Sequence, residues 1–382
     1  MGNRIAIVAN STWNISNFRL NLIEKLLKEG RQVIVIAPLD EYITYKEQFP
    51  TVKHIPLQNL NRDSKNPIKD IKLTFELKTI YKKLKPDLIL HYTHKPNIFG
   101  GMAARMVGIK SMAVVTGLGY AFLHKGLTHN ITKLLYRLVQ GAHHKFIFEN
   151  EDDKQLFIDE KIITAAKGIS VNGCGVDINH FSPHPNGQYR QNGQALADPK
   201  KEKIIFTYIG RLLYDKGIME FVQAAIKLRA TAPNLEFWVV GELDESNPSM
   251  VQKRELLKWI DEGSIVYHGF VKNVKPLIAK STCIVLPSYR EGMPRIILEG
   301  MSMARPIITT RTAGCRQTIV EGKNGYLVDV KDPEDLAMAM SKFANLSAEE
   351  QKKMGEAGRI MAVEHFNAKK IAQDLFDIVS LP

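Results

Sequence analysis

Short apolar runs alternate with longer stretches of helical period along this chain, and the alternation starts twice. Ile5 to Ala9 and Gln32 to Ala37 read as buried strands around an amphipathic helix from Asn17 to Glu29, which Gly30 ends. Further strands are expected at Asp87 to His91, Met112 to Thr116 and Lys145 to Glu149. The pattern restarts with Ile204 to Tyr208, a helix from Gly217 to Ala230, and strands at Glu236 to Val240 and Ile265 to Tyr267. Strands at Cys283 to Leu286, Ile307 to Thr309 and Gly325 to Val328 follow, with helices at Glu334 to Phe343 and Ala368 to Val379. Apolar runs separated by crossover helices predict an α/β chain with two open parallel sheets.

The length of 382 residues is more than one core holds, so two domains are expected. Residues 184–203, rich in Gly, Pro and Gln, read as a linker between residues 1–183 and 204–365, with 366–382 a closing helix that crosses back to the first domain. Ligands of such sheets bind beyond the carboxyl ends of the strands, and two such domains are expected to face each other across a cleft.

Charge changes this picture in one respect. Of the formal +12, residues 1–190 carry 26 Lys/Arg against 16 Asp/Glu, a balance of +10. Much of it lies between Arg62 and Lys85, through Lys65, Lys69, Lys72, Lys78, Lys82 and Lys83, with a second group at Lys125, Lys133, Arg137 and Lys145. Such a field suits a diphosphate or an anionic lipid surface; a plain solvated helix face fits the first group equally well. No zinc spacing, RNA-recognition signature or interleaved aromatic pattern accompanies it, so no nucleic-acid partner is expected.

Cys174, Cys283 and Cys315 are far apart and show no CxxC spacing, which suits reduced thiols in the cytoplasm. No apolar run reaches membrane-spanning length, the N-terminus reads directly into a strand rather than a signal peptide, and Ala6 spoils a myristoylation signal at Gly2. In the segment Leu127 to Val139, the residues Leu127, Ile131, Leu134, Leu135 and Leu138 form one helical stripe beside Lys133 and Arg137. It reads as a core-facing stripe with a basic outer edge, with docking on a membrane as the alternative.

Two stretches carry chemistry. In Glu291-Gly292-Met293-Pro294-Arg295-Ile296-Ile297-Leu298-Glu299, one carboxylate sits in a Gly/Pro turn at a helix start and the other lies two turns on, both able to accept hydrogen bonds from hydroxyls. The helix N-terminus suits a phosphate or a polar sugar edge. Gly210-Arg211-Leu212-Leu213-Tyr214-Asp215-Lys216-Gly217 joins the first strand of the second domain to its first helix. Gly210 is expected to let the chain leave the strand tightly, while Arg211 and Lys216 supply two cations able to clamp one diphosphate. The pattern is neither a Walker loop nor GxGxxG.

These stretches, with Tyr267-His268-Gly269-Phe270, Ile308-Thr309-Thr310, the Gly314 turn and Glu321 to Val328, resemble the donor half of retaining family-4 glycosyltransferases with the GT-B fold. Asn172 to Asp177, with Phe181 and Pro183, resembles the segment leading into that family's interdomain linker, so the resemblance spans the chain. His94 to Gly100, Ala103-Ala104-Arg105 and Thr116-Gly117-Leu118-Gly119 are similar to bacterial members that extend polyprenyl-diphosphate-linked sugars.

The resemblance implies a UDP-sugar donor, with N-acetylgalactosamine the expected sugar among hexoses and N-acetylhexosamines. It also implies a polyprenyl-diphosphate-linked acceptor, work at the cytoplasmic face of the plasma membrane as a peripheral protein, and no cofactor or metal ion. Arg211 and Lys216 are assigned to the diphosphate, Glu299 to the ribose hydroxyls, Glu291 to hydroxyls of the sugar, and Gly210, His268, Phe270, Gly292, Met293 and Pro294 to the remaining donor contacts. Front-face transfer makes Glu291 an orienting group rather than a covalent nucleophile. The family's usual histidine after the fourth strand is replaced by Thr116 and Gly117, which leaves His94 and Thr116 as candidates for the donor sugar. Asn14, Arg19, Lys95, Gly117 and Lys125 are candidates for the acceptor. A nucleotide-sugar epimerase or hydrolase of the same fold, and a non-catalytic nucleotide-sugar binding protein, are the alternatives.

Overall fold

The computed structural model describes residues 3–61, 66–119, 122, 126–183, 203–245 and 247–380. Arg62, Lys65, Lys125 and residues 184–202 of the expected linker lie outside them. The chain divides into two units, Met1–Cys174 with Ala368–Pro382, and Gly175–Asn367.

The first unit runs β1 (Arg4–Val8), α1 (Thr12–Phe18), α2 (Leu20–Lys28), β2 (Gln32–Ala37), α3 (Tyr45–Gln48), β3 (Lys53–Pro56), α4 (Pro67–Leu84) and β4 (Leu88–Tyr92). A π-helical turn, Pro96–Gly100, leads into α5 (Gly101–Val107), followed by β5 (Ser111–Val115), α6 (Leu127–Val139), β6 (Lys145–Phe148), α7 (Glu151–Asp159) and β7 (Gly168–Ser170). The seven strands lie in the order β3-β2-β1-β4-β5-β6-β7, all parallel. One face packs Ile5, Ile7, Val33, Val35, Leu88 and Leu90 against α2 and the closing helix, Ala368–Val379. The other face receives α4, α5 and α6.

The expected helix from Asn17 to Glu29 is instead two helices. Ser11 caps the first by accepting the Asn14 N–H, so helix begins at Thr12. The break is Arg19, at φ −119° and ψ −2°. Its guanidinium lies 4.1 Å over the Tyr92 ring and donates to Glu149, 3.4 Å away. That attachment is to residues far along the chain, which local periodicity does not reveal.

The second unit runs β8 (Ile204–Ile209), α8 (Ile218–Arg229), β9 (Leu235–Val240), α9 (Lys253–Asp261), β10 (Val266–Tyr267), α10 (Lys275–Lys280) and β11 (Cys283–Leu286). It continues with α11 (Arg295–Ser302), β12 (Ile307–Thr310), β13 (Gly325–Val328), α12 (Pro333–Ala344) and α13 (Ala348–His365). Its six parallel strands are ordered β10-β9-β8-β11-β12-β13. Phe206, Tyr208, Phe221, Phe237 and Phe343 fill its core. Residues 175–183 belong to this unit: Val176 bridges to Asn367, and the Phe181 carbonyl accepts from Ser302 and Arg359.

Strand order reverses between β1 and β4 in the first unit and between β8 and β11 in the second. The loops leaving adjacent strands part to opposite sides there, which opens a crevice at the carboxyl edge of each sheet.

A second expectation is overturned. Most of the α6 stripe does not face the core: Leu127, Ile131, Leu134 and Leu138 are exposed, Leu135 alone of the row is half-buried against it, and the helix buries Tyr136 and Val139 against β5 and β6. The aromatic at Tyr136, with a hydroxyl that finds buried partners, outweighs the leucines as the anchor.

Candidate functional site

In the second unit the crevice is built from the loops after β8 and β11. Lys216 Nζ and Glu291 Oε1 are 2.5 Å apart, and Ser288 Oγ donates to the same carboxylate oxygen at 2.7 Å. Both ionic side chains are mostly sheltered from solvent, which strengthens their attraction.

Backbone packing holds these loops together. Gly217 has φ +73°, and a Cβ there would sit 2.1 Å from the Pro287 carbonyl oxygen. Only glycine lets the end of the first loop press on the start of the second. Gly314, at φ +75°, faces the same restriction 2.2 Å from the Gly292 carbonyl oxygen. Thr310 and Thr312 hydroxyls donate to the carbonyls of Ser288 and Tyr289 at 2.5 and 2.9 Å. Gly210, by contrast, has room beside the Tyr208 ring, so the tight-exit role expected of it falls elsewhere.

Arg211 is half-exposed, and its Nη1 donates to Asp244 Oδ2 at 2.7 Å. Glu299, buried on α11, is paired with Arg295 Nε at 2.7 Å, one helical turn earlier. Burial raises the Glu299 carboxyl above the ordinary carboxylate range while Arg295 opposes the shift. Helix α11 begins at Arg295 after Pro294, which makes no side-chain capping bond, and Gly292, Met293 and Pro294 are buried before its start. Ile297 and Leu298 fasten the helix to the core.

His268 and Phe270 lie at the far edge of this crevice, after β10. The His268 ring packs on Trp238 at 4.7 Å, and burial, with Lys280 nearby, lowers its pKa. Phe270 is exposed. Their loop reaches the centre through the backbone: Gly241 N–H donates to the Gly269 carbonyl, and Gly241 in turn rests against Gly210. The structure thus gathers Lys216, Glu291 and Ser288 tightly, sets the Arg211–Asp244 and Arg295–Glu299 pairs on neighbouring elements, and packs the His268 ring on Trp238 with its Nε2 buried and unpartnered.

In the first unit, His94 follows β4. Its Nδ1 lies 2.9 Å from the Tyr136 hydroxyl, and its ring stacks on Phe122 and meets the loop after β5 near Leu118 and Gly119. Burial lowers the His94 pKa, so the ring is neutral at pH 7. Thr116 and Gly117, both partly buried, lie in that same loop. Thr93, just before His94, holds φ +73° with its hydroxyl buried and unpartnered, a strained position at the crevice. Lys95 is paired with Asp70 of α4 at 2.6 Å. Asn14 and Arg19 are buried, and Arg19 Nε donates to Asn14 Oδ1 at 3.3 Å. Lys125 lies outside the described residues.

Sequence reasoning passed over Ser288, Asp244, Arg295 and Tyr136. Arg295 was legible as an i, i+4 partner of Glu299. Asp244 had no local signal, because its pairing with Arg211 spans two strands.

Two open parallel-sheet units with their polar clusters at the switch points define the GT-B class of fold. The match to known proteins agrees: residues 203–345 match the model described as "Glycosyl transferases group 1" and residues 4–150 the one described as "Glycosyl transferase 4-like". The chain is 30% identical over 344 residues to an N,N'-diacetylbacillosaminyl-diphospho-undecaprenol alpha-1,3-N-acetylgalactosaminyltransferase of Campylobacter jejuni, covering 88% of each chain. It is 28% identical to an Escherichia coli UDP-Gal:alpha-D-GlcNAc-diphosphoundecaprenol alpha-1,3-galactosyltransferase, over 73% of this chain and 71% of that one. The Anabaena protein HepE, solved with UDP and glucose, superposes with a TM-score of 0.78 over 100% of both chains at 17% identity. This protein belongs to the group 1, GT4-like glycosyltransferases.

Proposed function

We propose that the protein is a retaining, metal-independent glycosyltransferase that moves a hexose or N-acetylhexosamine from a UDP-sugar to a polyprenyl-diphosphate-linked saccharide. N-Acetylgalactosamine is the first donor to test. The observation that carries this reading is the Lys216–Glu291 pair at the switch point of the second unit. A preformed cation beside a carboxylate fits a ligand that is anionic on one side and rich in hydroxyls on the other. The names of the two curated relatives above, both acting on undecaprenol-diphosphate-linked sugars, support the acceptor class.

In this reading Lys216 and Arg211 hold the diphosphate, Glu299 takes the ribose diol after exchanging Arg295, and Glu291 orients the transferred sugar. Met293 and the other residues at the uncapped start of α11 meet the β-phosphate. The bond from the anomeric carbon to the β-phosphate oxygen breaks as the acceptor oxygen bonds to the same face of that carbon. The acceptor's proton passes to the departing phosphate oxygen. Charge grows on the diphosphate during this step, so cations already fixed in place lower the barrier most there. Their presence supplies the neutralisation that a magnesium ion provides elsewhere.

His94, Thr116 and Gly117 are proposed to meet the transferred sugar and the acceptor, with Lys95 toward the acceptor diphosphate. The lipid-borne acceptor places the enzyme at the cytoplasmic face of the plasma membrane as a peripheral protein. Among the described residues no helix is long and apolar enough to cross a membrane.

The test is incubation with a panel of UDP-sugars, with and without a lipid-diphosphate-saccharide, in the presence and absence of a chelator. Product only with the acceptor, with the donor's anomeric configuration retained and no effect of chelation, is the expected result. Donor consumption without acceptor would indicate an epimerase or hydrolase, and binding without turnover a sensor.

A further inference from the structure

Helix α4 shows Ile68, Ile71 and Phe75 to solvent, each between 54% and 62% exposed, at the spacing of one helical stripe. Lys69, Lys72, Lys82 and Lys83 are exposed on the same helix, and Lys78 Nζ lies 5.8 Å from the Phe75 ring. Its two acids are drawn elsewhere. Asp70 is paired with Lys95, and Glu76 accepts the backbone N–H groups of Gln58 and Asn59 at 2.8 and 3.0 Å. The solvent side of α4 is therefore apolar and cationic.

Helix α6 repeats the arrangement with no acidic residue at all. Leu127, Ile131, Leu134 and Leu138 are between 47% and 77% exposed and line one face. Lys133 and Arg137 at its side are tethered to Glu160, through its carboxylate and its carbonyl oxygen respectively, which fixes the helix without covering the leucine row.

The two rows lie on one side of the unit. α4 packs on Ala6, Ile34 and Ile89, and α6 on Ala113, Val115, Phe146 and Phe148; the strand register places all of these on the same sheet face. Both helices run opposite to the strands, so their N-terminal halves sit at the carboxyl edge: Asp70 of α4 meets Lys95, and His129 of α6 packs on Phe122, which stacks on His94. Ile68, Ile71, Phe75, Leu127 and Ile131 thus stand at the rim occupied by His94.

We propose that the solvent sides of α4 and α6 form a docking face for an anionic phospholipid bilayer, an inference that rests on the lipid-borne acceptor of the proposed function. Apolar stripes flanked by lysines, with the α4 acids bound inside the fold, complement a surface that offers hydrocarbon beneath anionic headgroups. Docking there sets the acceptor edge of the unit at the headgroup level, where a polyprenyl diphosphate presents its charge. The apolar part resists salt, whereas the lysine part is screened by it.

The full-length protein is floated with vesicles of phosphatidylglycerol and phosphatidylethanolamine, and with vesicles of phosphatidylcholine. The variants are Ile71→Ser with Phe75→Ser, Leu134→Ser with Leu138→Ser, and Lys69→Gln with Lys72→Gln. Wild type is expected to float with the anionic vesicles and poorly with the neutral ones. Each apolar pair lowers the bound-to-free ratio at least about tenfold, and the lysine pair lowers it only at low salt. Thermal midpoint and UDP affinity, unchanged in all three, show that the fold is intact. Wild type remaining in the supernatant at low salt, or apolar variants floating like wild type, overturns the proposal. So does a wild-type dimer that the apolar variants convert to monomer, since the face would then join two copies. Transfer to a water-soluble short-prenyl acceptor separates the two readings: transfer without flotation removes only the docking face, whereas flotation without transfer to any diphosphate acceptor removes the function.

Discussion

Lys216 and Glu291 meet at 2.5 Å across the point where strand order reverses in the second unit, although 75 residues separate them in sequence. Each neutralises the other before any ligand arrives. In the proposed reading, a diphosphate competes with Glu291 for the ammonium, and the carboxylate released from that contact turns to sugar hydroxyls. Glu291→Gln keeps shape and leaves Lys216 available to phosphate, so UDP affinity is expected to hold or rise. Turnover is expected to fall about a hundredfold or more, in line with the removal of one preorganised transition-state contact. Calorimetric titration with UDP and steady-state kinetics on the same preparation separate the two effects. Unchanged turnover would remove Glu291 from the mechanism.

Arg211 is tied to Asp244 at 2.7 Å, but it remains half-exposed. An ion pair so placed contributes about 0–1 kcal/mol to stability. Arg211→Ala is therefore expected to leave the thermal midpoint nearly unchanged. A charge-assisted hydrogen bond to phosphate contributes more, about 1.5–3 kcal/mol, so UDP binding is expected to weaken by roughly ten- to a hundredfold. Unchanged UDP affinity would assign the diphosphate to other groups.

How much of this was legible follows from where each signal lives. Central strands such as β2 and β11 are buried on both sides, so they read as unbroken apolar runs, and their bounds agree with the structure to the residue. The edge strands β3 and β7 are short and only partly buried, with no apolar run to betray them. Lys216 and Glu291 were visible because each sits at a strand-to-helix turn, and the topology of a doubly wound sheet brings such turns together. The α6 stripe misled because periodicity reports that a helix has an apolar side, not which side the sheet takes; Tyr136 and Val139 decided that. Arg19 breaks its helix through Tyr92 and Glu149, partners that no local window contains.

The first unit buries two histidines that stay neutral. His143 Nε2 lies 2.7 Å from the Asn97 carbonyl oxygen and its Nδ1 3.0 Å from the Ser111 hydroxyl, while His91 Nε2 lies 2.9 Å from the Tyr81 hydroxyl. Burial lowers the His143 pKa to about 4, with Lys167 adding to the effect, and pushes His91 well below its ordinary value, with His143 adding there. The unfolded chain binds these protons near pH 6.5 and the folded chain does not. Stability is therefore full above about pH 6.5 and is lost as the pH falls toward 4, by roughly 3 kcal/mol from His143 alone. Urea midpoints measured from pH 7.5 downward are expected to decline over that window, and His143→Gln to decline less steeply though from a lower start. A flat profile above pH 5 would contradict the buried neutral assignment.

Gly314 tests whether the crevice of the second unit depends on its backbone as much as on its charges. Its φ of +75° is costly for any residue with a Cβ, and that Cβ would also stand 2.2 Å from the Gly292 carbonyl oxygen and 2.7 Å from that of Glu291. Glu291 is held from the same side by its N–H bond to the Ala313 carbonyl at 3.3 Å. Gly314→Ala must therefore move the turn that carries Glu291. The strain is of the order of 1–3 kcal/mol, small enough for the unit to stay folded on its large core. A displacement of about 1 Å is enough to spoil a catalytic contact, so the variant is expected to lose at least about tenfold in kcat/KM while its thermal midpoint drops only a few degrees. The second variant, Gly322→Ala, supplies the control: its φ is +73°, yet nothing lies within 4 Å of its added Cβ. It carries the same backbone strain without the collision and is expected to cost stability alone. Equal losses of activity in the two variants would show that the contact between the Gly314 turn and Glu291 does not govern transfer.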